Sequence, residues 1–240
     1  MEGNMELEIK NIKKSFDGNE VLKGIDFTFE KGKIYALLGR NGAGKTTLFN
    51  IMAEELREEN GEIFLTKEGD RKRLESTDIS YAYSDPILPE FLTGYEFIKF
   101  FMDINRERIA EGVGIDEYFD IIKINENDRH KLIKSYSHGM KNKIQMLMFI
   151  IRRPDVILLD EPLTSLDVVV ALEIKRLLRE MRNDHIIVFS THILQLAKDM
   201  CDEIVILHKG KMELIDKELL GDPDFEDRIM DMLKVDEEDD

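Results

Sequence analysis

The sequence predicts an α/β fold with a mainly parallel core sheet, an N-terminal antiparallel β layer and an inserted helical subdomain. Three observations carry this. Residues 34–38, 156–159, 186–189 and 204–207 are short, unbroken apolar runs, the character of strands buried on both faces. Helical patterns separate the last three runs, the alternation expected of a parallel sheet. Between the first and second runs, residues 85–153 carry mostly helical apolar spacing.

Each element follows in order. Leu7, Ile9 and, after a break, Ile12 form one face of a strand, and Phe27 and Phe29 repeat the period of two. Asp17-Gly18-Asn19 between them is a turn signal, so the two runs predict an antiparallel layer. Lys31-Gly32-Lys33 then turns the chain into the first buried strand. In the helical stretch, Thr93 and Glu96 have capping-box spacing ahead of Phe97, Ile98, Phe101 and Met102. Asp116 is placed to start a second helix with Phe119 and Ile122 inward. Ser137 is placed to cap a third, with Met140, Ile144, Leu147, Met148 and Ile151 on one side. A further helix over 171–181 sets Leu172, Leu177 and Leu178 against Lys175, Arg176 and Arg179.

Composition bounds the function. The 240 residues are 42% hydrophobic and 35% charged, with a net charge of −16. This is a globular balance and it disfavours a nucleic-acid binder. No apolar run approaches the roughly 20 residues of a membrane-spanning helix. Met1-Glu2-Gly3-Asn4 has neither the basic nor the apolar segment of a secretory signal. Cys201 is the one cysteine, which excludes an internal disulfide and a cysteine-rich zinc site. Much of the negative charge lies in 221–240, where the last five residues are all acidic; this predicts a solvated, partly disordered extension.

The chemistry is carried by three strand ends. Gly39-Arg40-Asn41-Gly42-Ala43-Gly44-Lys45-Thr46 matches G-x-x-x-x-G-K-[ST], follows a buried strand and opens a helical pattern from Thr47. Its glycines let successive N–H groups curl around phosphate oxygens, and the helix N-terminus adds a positive dipole end. Lys45 supplies a cation to the β- and γ-phosphates, and the Thr46 hydroxyl can hold Mg2+. Asp160 and Glu161 end the second buried strand, at the sheet edge where ligands bind. Asp160 is a candidate Mg2+ ligand and Glu161 a candidate base for an attacking water. His192 follows the next strand and is a candidate γ-phosphate contact.

These motifs resemble those of an ATP-binding cassette (ABC) ATPase, a P-loop NTPase. Residues 39–47, 156–161 and His192 resemble its Walker A, Walker B and switch-histidine motifs, with Thr47 in the phosphate loop. Tyr136-Ser137-His138-Gly139-Met140 stands where that family places its LSGGQ signature, and Ser165-Leu166-Asp167 resembles the D-loop. Phe16 stands where the family keeps an aromatic that stacks on adenine; packing within the antiparallel layer is its other reading. The resemblance spans about 7–220. It implies a core over 1–84 and 154–220, a helical signature subdomain over 85–153, and ATP and Mg2+ as cofactors. Two cassettes would sandwich two ATP molecules, with Ser137 and Gly139 touching the γ-phosphate in trans and Asp167 at the dimer interface. An identical second cassette is the preferred partner. A separate polytopic membrane permease would complete the assembly on the cytoplasmic face of the membrane.

The chain departs from the family pattern in places. Ser84 occupies the position of a Gln that contacts Mg2+ and water, and a serine there would act through a bridging water. His138 and Met140 replace a glycine and a glutamine of the signature, and Phe16 replaces the commoner Tyr. The signature and residues 80–86 most resemble exporter cassettes. The leading expectation is an ATPase subunit of an exporter. The alternatives are a catalytically weak regulatory cassette and a non-transport ABC ATPase.

Overall fold

The computed structural model describes residues 4–109, 112–163 and 166–215, together with Ile229. The chain runs through β1 (Met5–Phe16), β2 (Asn19–Glu30), β3 (Ile34–Leu38), α1 (Lys45–Met52), β4 (Asn60–Lys67), β5 (Asp70–Arg73) and β6 (Ile79–Ala82). Four helices follow: α2 (Gly94–Ile104), α3 (Ile115–Ile121), α4 (Glu126–Arg129) and α5 (His138–Arg152). The chain then returns through β7 (Val156–Asp160), α6 (Val168–Met181), β8 (Ile186–Thr191), α7 (Leu194–Met200), β9 (Glu203–His208) and β10 (Lys211–Leu214).

The core sheet has the order β10-β9-β3-β8-β7-β6. Its strands are parallel except β10, which pairs antiparallel on the β9 edge. Every residue of β3, β7 and β8 is buried, because apolar layers cover both faces. Tyr35 and Leu37 face one core, shared with Leu7, Phe29, Phe49 and Val188. Ala36 and Leu38 face the other, shared with Phe119, Ile144, Leu159 and Phe189. The first core is closed by a four-stranded antiparallel sheet of order β2-β1-β4-β5. Asp17 and Gly18 make its first turn with φ of 51° and 86°, the left-handed pair that a two-residue hairpin favours.

The helical stretch lies between β6 and β7. The capping box forms: the Thr93 hydroxyl accepts from the Glu96 N–H at 3.2 Å, and the Glu96 carboxylate accepts from the Thr93 N–H at 2.9 Å. Ser137 caps α5, accepting from the Met140 N–H. Helix α3 starts at Ile115 with Asp116 in its first turn, as expected, and Glu117 accepts from the Gly114 N–H at 3.1 Å. Asp116 also pairs with Arg129 at 2.7 Å, a buried guanidinium that needs a counter-charge. One expectation needs correction. Leu172 is 60% exposed; Ile174, Leu177 and Leu178 form the buried stripe of α6. Ile174 stands three and four residues before Leu177 and Leu178 and shares their face, whereas Leu172, five and six before them, faces outward. The acidic extension lies outside the described residues apart from Ile229, which is buried.

His185 marks the β8 entrance, buried with Nδ1 against the Pro154 carbonyl. Burial holds its pKa below the ordinary value of 6.5, although the Pro154 contact opposes this. The folded chain therefore favours the neutral ring. This contribution is intact above the unfolded-chain pKa of about 6.5 and is lost as pH falls below it. His185→Asn keeps a donor for Pro154 but does not titrate. Its unfolding midpoint in urea should fall less than that of the parent between about pH 7 and pH 5; equal losses would remove His185 from the acid response.

Candidate functional site

The C-terminal ends of β3, β7 and β8 converge on one cleft, the position where open α/β sheets bind ligands. A cavity of about 330 Å3 there is lined by Phe16, Val21, Asn41, Gly42, Gly44, Lys45, Thr46, Thr47, Ser84, Asp160 and Glu161. Ala43 borders an adjoining cavity with Arg40, Asn41 and Gly42. Gly44 must be glycine: its φ is 101°, and a Cβ would meet Val21 Cγ1 at 2.9 Å. It turns the loop into α1, whose first residue is Lys45.

Lys45 is 6% exposed. Its Nζ donates to the Gly39 carbonyl at 2.7 Å and the Arg40 carbonyl at 3.1 Å, and lies 4.0 Å from Glu161 Oε1. Burial lowers its pKa, while the charges of Glu161 and Asp160 pull the other way. A buried ammonium flanked by loop carbonyls is arranged to meet a strong anion.

Thr46 Oγ1 donates to Asp160 Oδ2 at 2.8 Å. Ser190 Oγ donates to Asp160 Oδ1, and Tyr81 Oη lies 3.4 Å from Oδ2. Register explains this grouping: Asp160 pairs with Ser190 across β7 and β8, and Tyr81 pairs with Leu158 across β6 and β7. The Tyr81 phenol is pushed to a higher pKa, first by burial and then by the Asp160 charge, so it stays a donor. Hydroxyl and carboxylate oxygens beside a phosphate loop suit Mg2+, a hard cation that takes few protein ligands and shares the rest with phosphate and water. Thr46 and Asp160 would hold it. Among the described residues there is no cluster of three His, Cys, Asp or Glu able to hold a metal alone.

Glu161 leaves β7 with φ of 48°, a left-handed conformation that costs a non-glycine residue energy and is found at functional sites. Its N–H donates to Ser190 Oγ at 3.0 Å. Its carboxylate Oε1 lies 2.8 Å from His192 Nδ1. A carboxylate partner assigns the proton to Nδ1, so the histidine orients the carboxylate beside Lys45.

Phe16 is 44% exposed at the cleft rim, with Lys14 Nζ 5.5 Å from its ring centroid. It faces the cleft as well as ending β1. Ser84 lies at the cleft and is exposed. Three expected site residues lie outside the cleft. Ser137 and Gly139 stand at the N-terminus of α5, and Asp167 caps α6 by accepting from the Val169 and Val170 N–H groups. Gly139 packs on Val170, where an added Cβ would lie 3.2 Å from Cγ2. Ser165 lies outside the described residues. Sequence reasoning missed Ser190 and Tyr81 as members of the site. Their signal was position: Ser190 is the penultimate residue of the strand before His192, and Tyr81 lies on the strand leading to Ser84.

A glycine loop closing on a helix N-terminus, with acidic strand ends beside it, defines a P-loop nucleoside-triphosphate-binding protein. The profile of the ABC transporter family matches residues 22–164, and the chain belongs to that family as an ATP-binding subunit. It is 32% identical over 209 residues to the uncharacterized ABC transporter ATP-binding protein YxlF of Bacillus subtilis, covering 86% of this chain and 69% of that protein. An uncharacterized ABC transporter ATP-binding protein of Methanocaldococcus jannaschii is also 32% identical over 209 residues, covering 85% and 75%. Among solved structures, an ATP-binding subunit of an ABC transporter aligns with TM-score 0.73 at 25% identity, covering 95% and 94% of the two chains. CbiO1 of Clostridium perfringens, described as part of the ABC transporter complex cbiONQ, aligns with TM-score 0.73 at 25% identity, covering 93% of each. Family membership implies ATP binding, generally with Mg2+, and ATP hydrolysis. No helix among the described residues is long and apolar enough to cross a membrane.

Proposed function

We propose that this chain is the ATP-hydrolysing subunit of a transporter, working as a head-to-tail dimer beneath a separate membrane permease. One observation carries the reading. The Glu161 carboxylate is bonded to His192 at 2.8 Å and lies 4.0 Å from Lys45, so a base, its orienting imidazole and a phosphate cation share one cleft. Phosphoryl transfer needs positioning and charge stabilisation more than covalent chemistry, and these residues supply both. Lys45 turns from Glu161 to the β- and γ-phosphates. Glu161, thereby released, takes a proton from the attacking water, and His192 holds it toward that water. Thr46 and Asp160 would hold Mg2+, which when bound would neutralise phosphate charge.

Ser137 and Gly139 complete the partner's site. Their place at the N-terminus of α5, away from their own cleft, supports this, because a helix N-terminus attracts an anion and a nucleotide held by a second chain would supply one. The preferred partner is an identical chain. Ile87, Phe91, Phe100 and Ile104, all exposed between β6 and β7, are apolar side chains available to the permease. Export is the favoured direction, on the likeness of the signature and residues 80–86 to exporter cassettes. The test is isolation of the tagged chain from native membranes in mild detergent. A polytopic membrane protein in fixed ratio supports the reading, and a chain recovered with no membrane protein counts against it.

Phe16 offers a ring face to adenine. Phe16→Ala should weaken ATP binding about tenfold, from loss of a base stack worth about 1–3 kcal/mol. Binding of inorganic triphosphate, which has no base, should stay constant. Equal losses for both ligands would place Phe16 in the fold and not in base recognition.

A further inference from the structure

We propose that Tyr81 is the positioning residue for the metal-holding carboxylate, doing from strand β6 what the short Ser84 side chain cannot do from the loop beyond it. This rests on the reading of Thr46 and Asp160 as the Mg2+ ligands. Three hydroxyls surround Asp160: Ser190 on Oδ1, with Thr46 at 2.8 Å and Tyr81 at 3.4 Å on Oδ2. When Thr46 gives a lone pair to a cation, its O–H can still donate to Asp160 Oδ2, but its orientation is then set by the cation. Tyr81 is the donor to that oxygen that does not itself ligate the cation, and with Ser190 on Oδ1 it holds the carboxylate in place.

The Tyr81 ring is built to stay there. It meets Phe49 edge-on at 6.0 Å and Tyr83 at 4.5 Å. Phe49 lies on α1, the helix that also carries Thr46, so the two donors to Asp160 share one rigid support. Tyr83 in turn is bonded through its hydroxyl to Glu55, just beyond the end of α1. The segment from β6 to Ser84 is thereby tied to the phosphate-loop helix at two tyrosines. Ser84 is exposed at the cleft wall and has a shorter reach than the glutamine of the family pattern. Outer partners that orient a ligand tune metal affinity by about 10–100-fold.

Tyr81→Phe removes the hydroxyl and leaves the ring packing on Phe49. The probe is Mn2+, titrated into the full-length chain with a non-hydrolysable ATP analogue and read by electron paramagnetic resonance. Tyr81→Phe should weaken Mn2+ binding about tenfold, with analogue binding in EDTA and the thermal unfolding midpoint unchanged. Adding Ser84→Gln in that background should recover most of the affinity, because the longer amide reaches the metal. Asp160→Asn is the control. If Asp160→Asn weakens Mn2+ binding and Tyr81→Phe leaves it within about twofold of the parent, the Tyr81 proposal is overturned and the ligand reading stands. If Asp160→Asn has no effect, the ligand reading itself fails, and the proposal with it.

Discussion

Glu161→Gln should lower ATP turnover by about 10²–10⁴-fold, the range for removing a general base, while ATP binding survives. The amide keeps the shape of the carboxylate and accepts from His192 Nδ1, as Glu161 Oε1 does at 2.8 Å. It cannot take a proton from water. Glu161 is also a neighbour of Lys45, at 4.0 Å, and a neutral side chain there removes a negative charge that competes with phosphate. Binding should therefore be equal or tighter. Phosphate release and nucleotide affinity, measured on the same preparation, separate the two effects. Undiminished turnover would place the base elsewhere.

Lys45→Ala should have the second large effect, on binding. Truncating one partner of a buried charged contact costs about 2–5 kcal/mol, on the order of a hundredfold in affinity. The folded chain tolerates the change, because Lys45 is a buried cation whose pKa burial already lowers. Its bonds to the Gly39 and Arg40 carbonyls and its 4.0 Å contact with Glu161 are lost from the structure. Calorimetric titration with ATP should show the weakened binding while the unfolding midpoint stays close to that of the parent. Parent-like ATP affinity would show that Lys45 serves the loop and not the phosphates.

The core strands and the phosphate loop were legible because one signal served both. A continuous apolar run ending in Gly39, in Asp160 or just before His192 marks a buried strand and a residue at its C-terminal edge. The antiparallel layer was half legible. Strands β1 and β2 show alternation, but β5 is Asp70-Arg71-Lys72-Arg73, exposed throughout, and forms by pairing with β4 around the Glu68-Gly69 turn. No hydrophobic period could reveal it. Leu172 misled for a different reason: it stands five and six residues before Leu177 and Leu178, whereas Ile174 stands three and four before them, the spacing that shares a helix face.

The bonds of Ser190 and Tyr81 to Asp160 were not read from the sequence. They depend on the register that sets Ser190 opposite Asp160 and on the adjacent β6 strand bringing the Tyr81 hydroxyl within reach. Hydrogen bonds of that kind follow from strand order, which local pattern does not encode. The proposed roles of Ser137 and Gly139 rest on motif and not on proximity, as they would if a second chain completes the site.

The account turns on a nucleotide held between two copies of this chain. The direct measurement is the light-scattering mass of purified Glu161→Gln with and without ATP and Mg2+. The account predicts the mass of one 28.0 kDa chain without nucleotide and twice that mass with it, and no such shift when Ser137 is also replaced by a bulky residue. A Glu161→Gln chain that binds ATP and keeps the mass of a single chain would contradict the shared site.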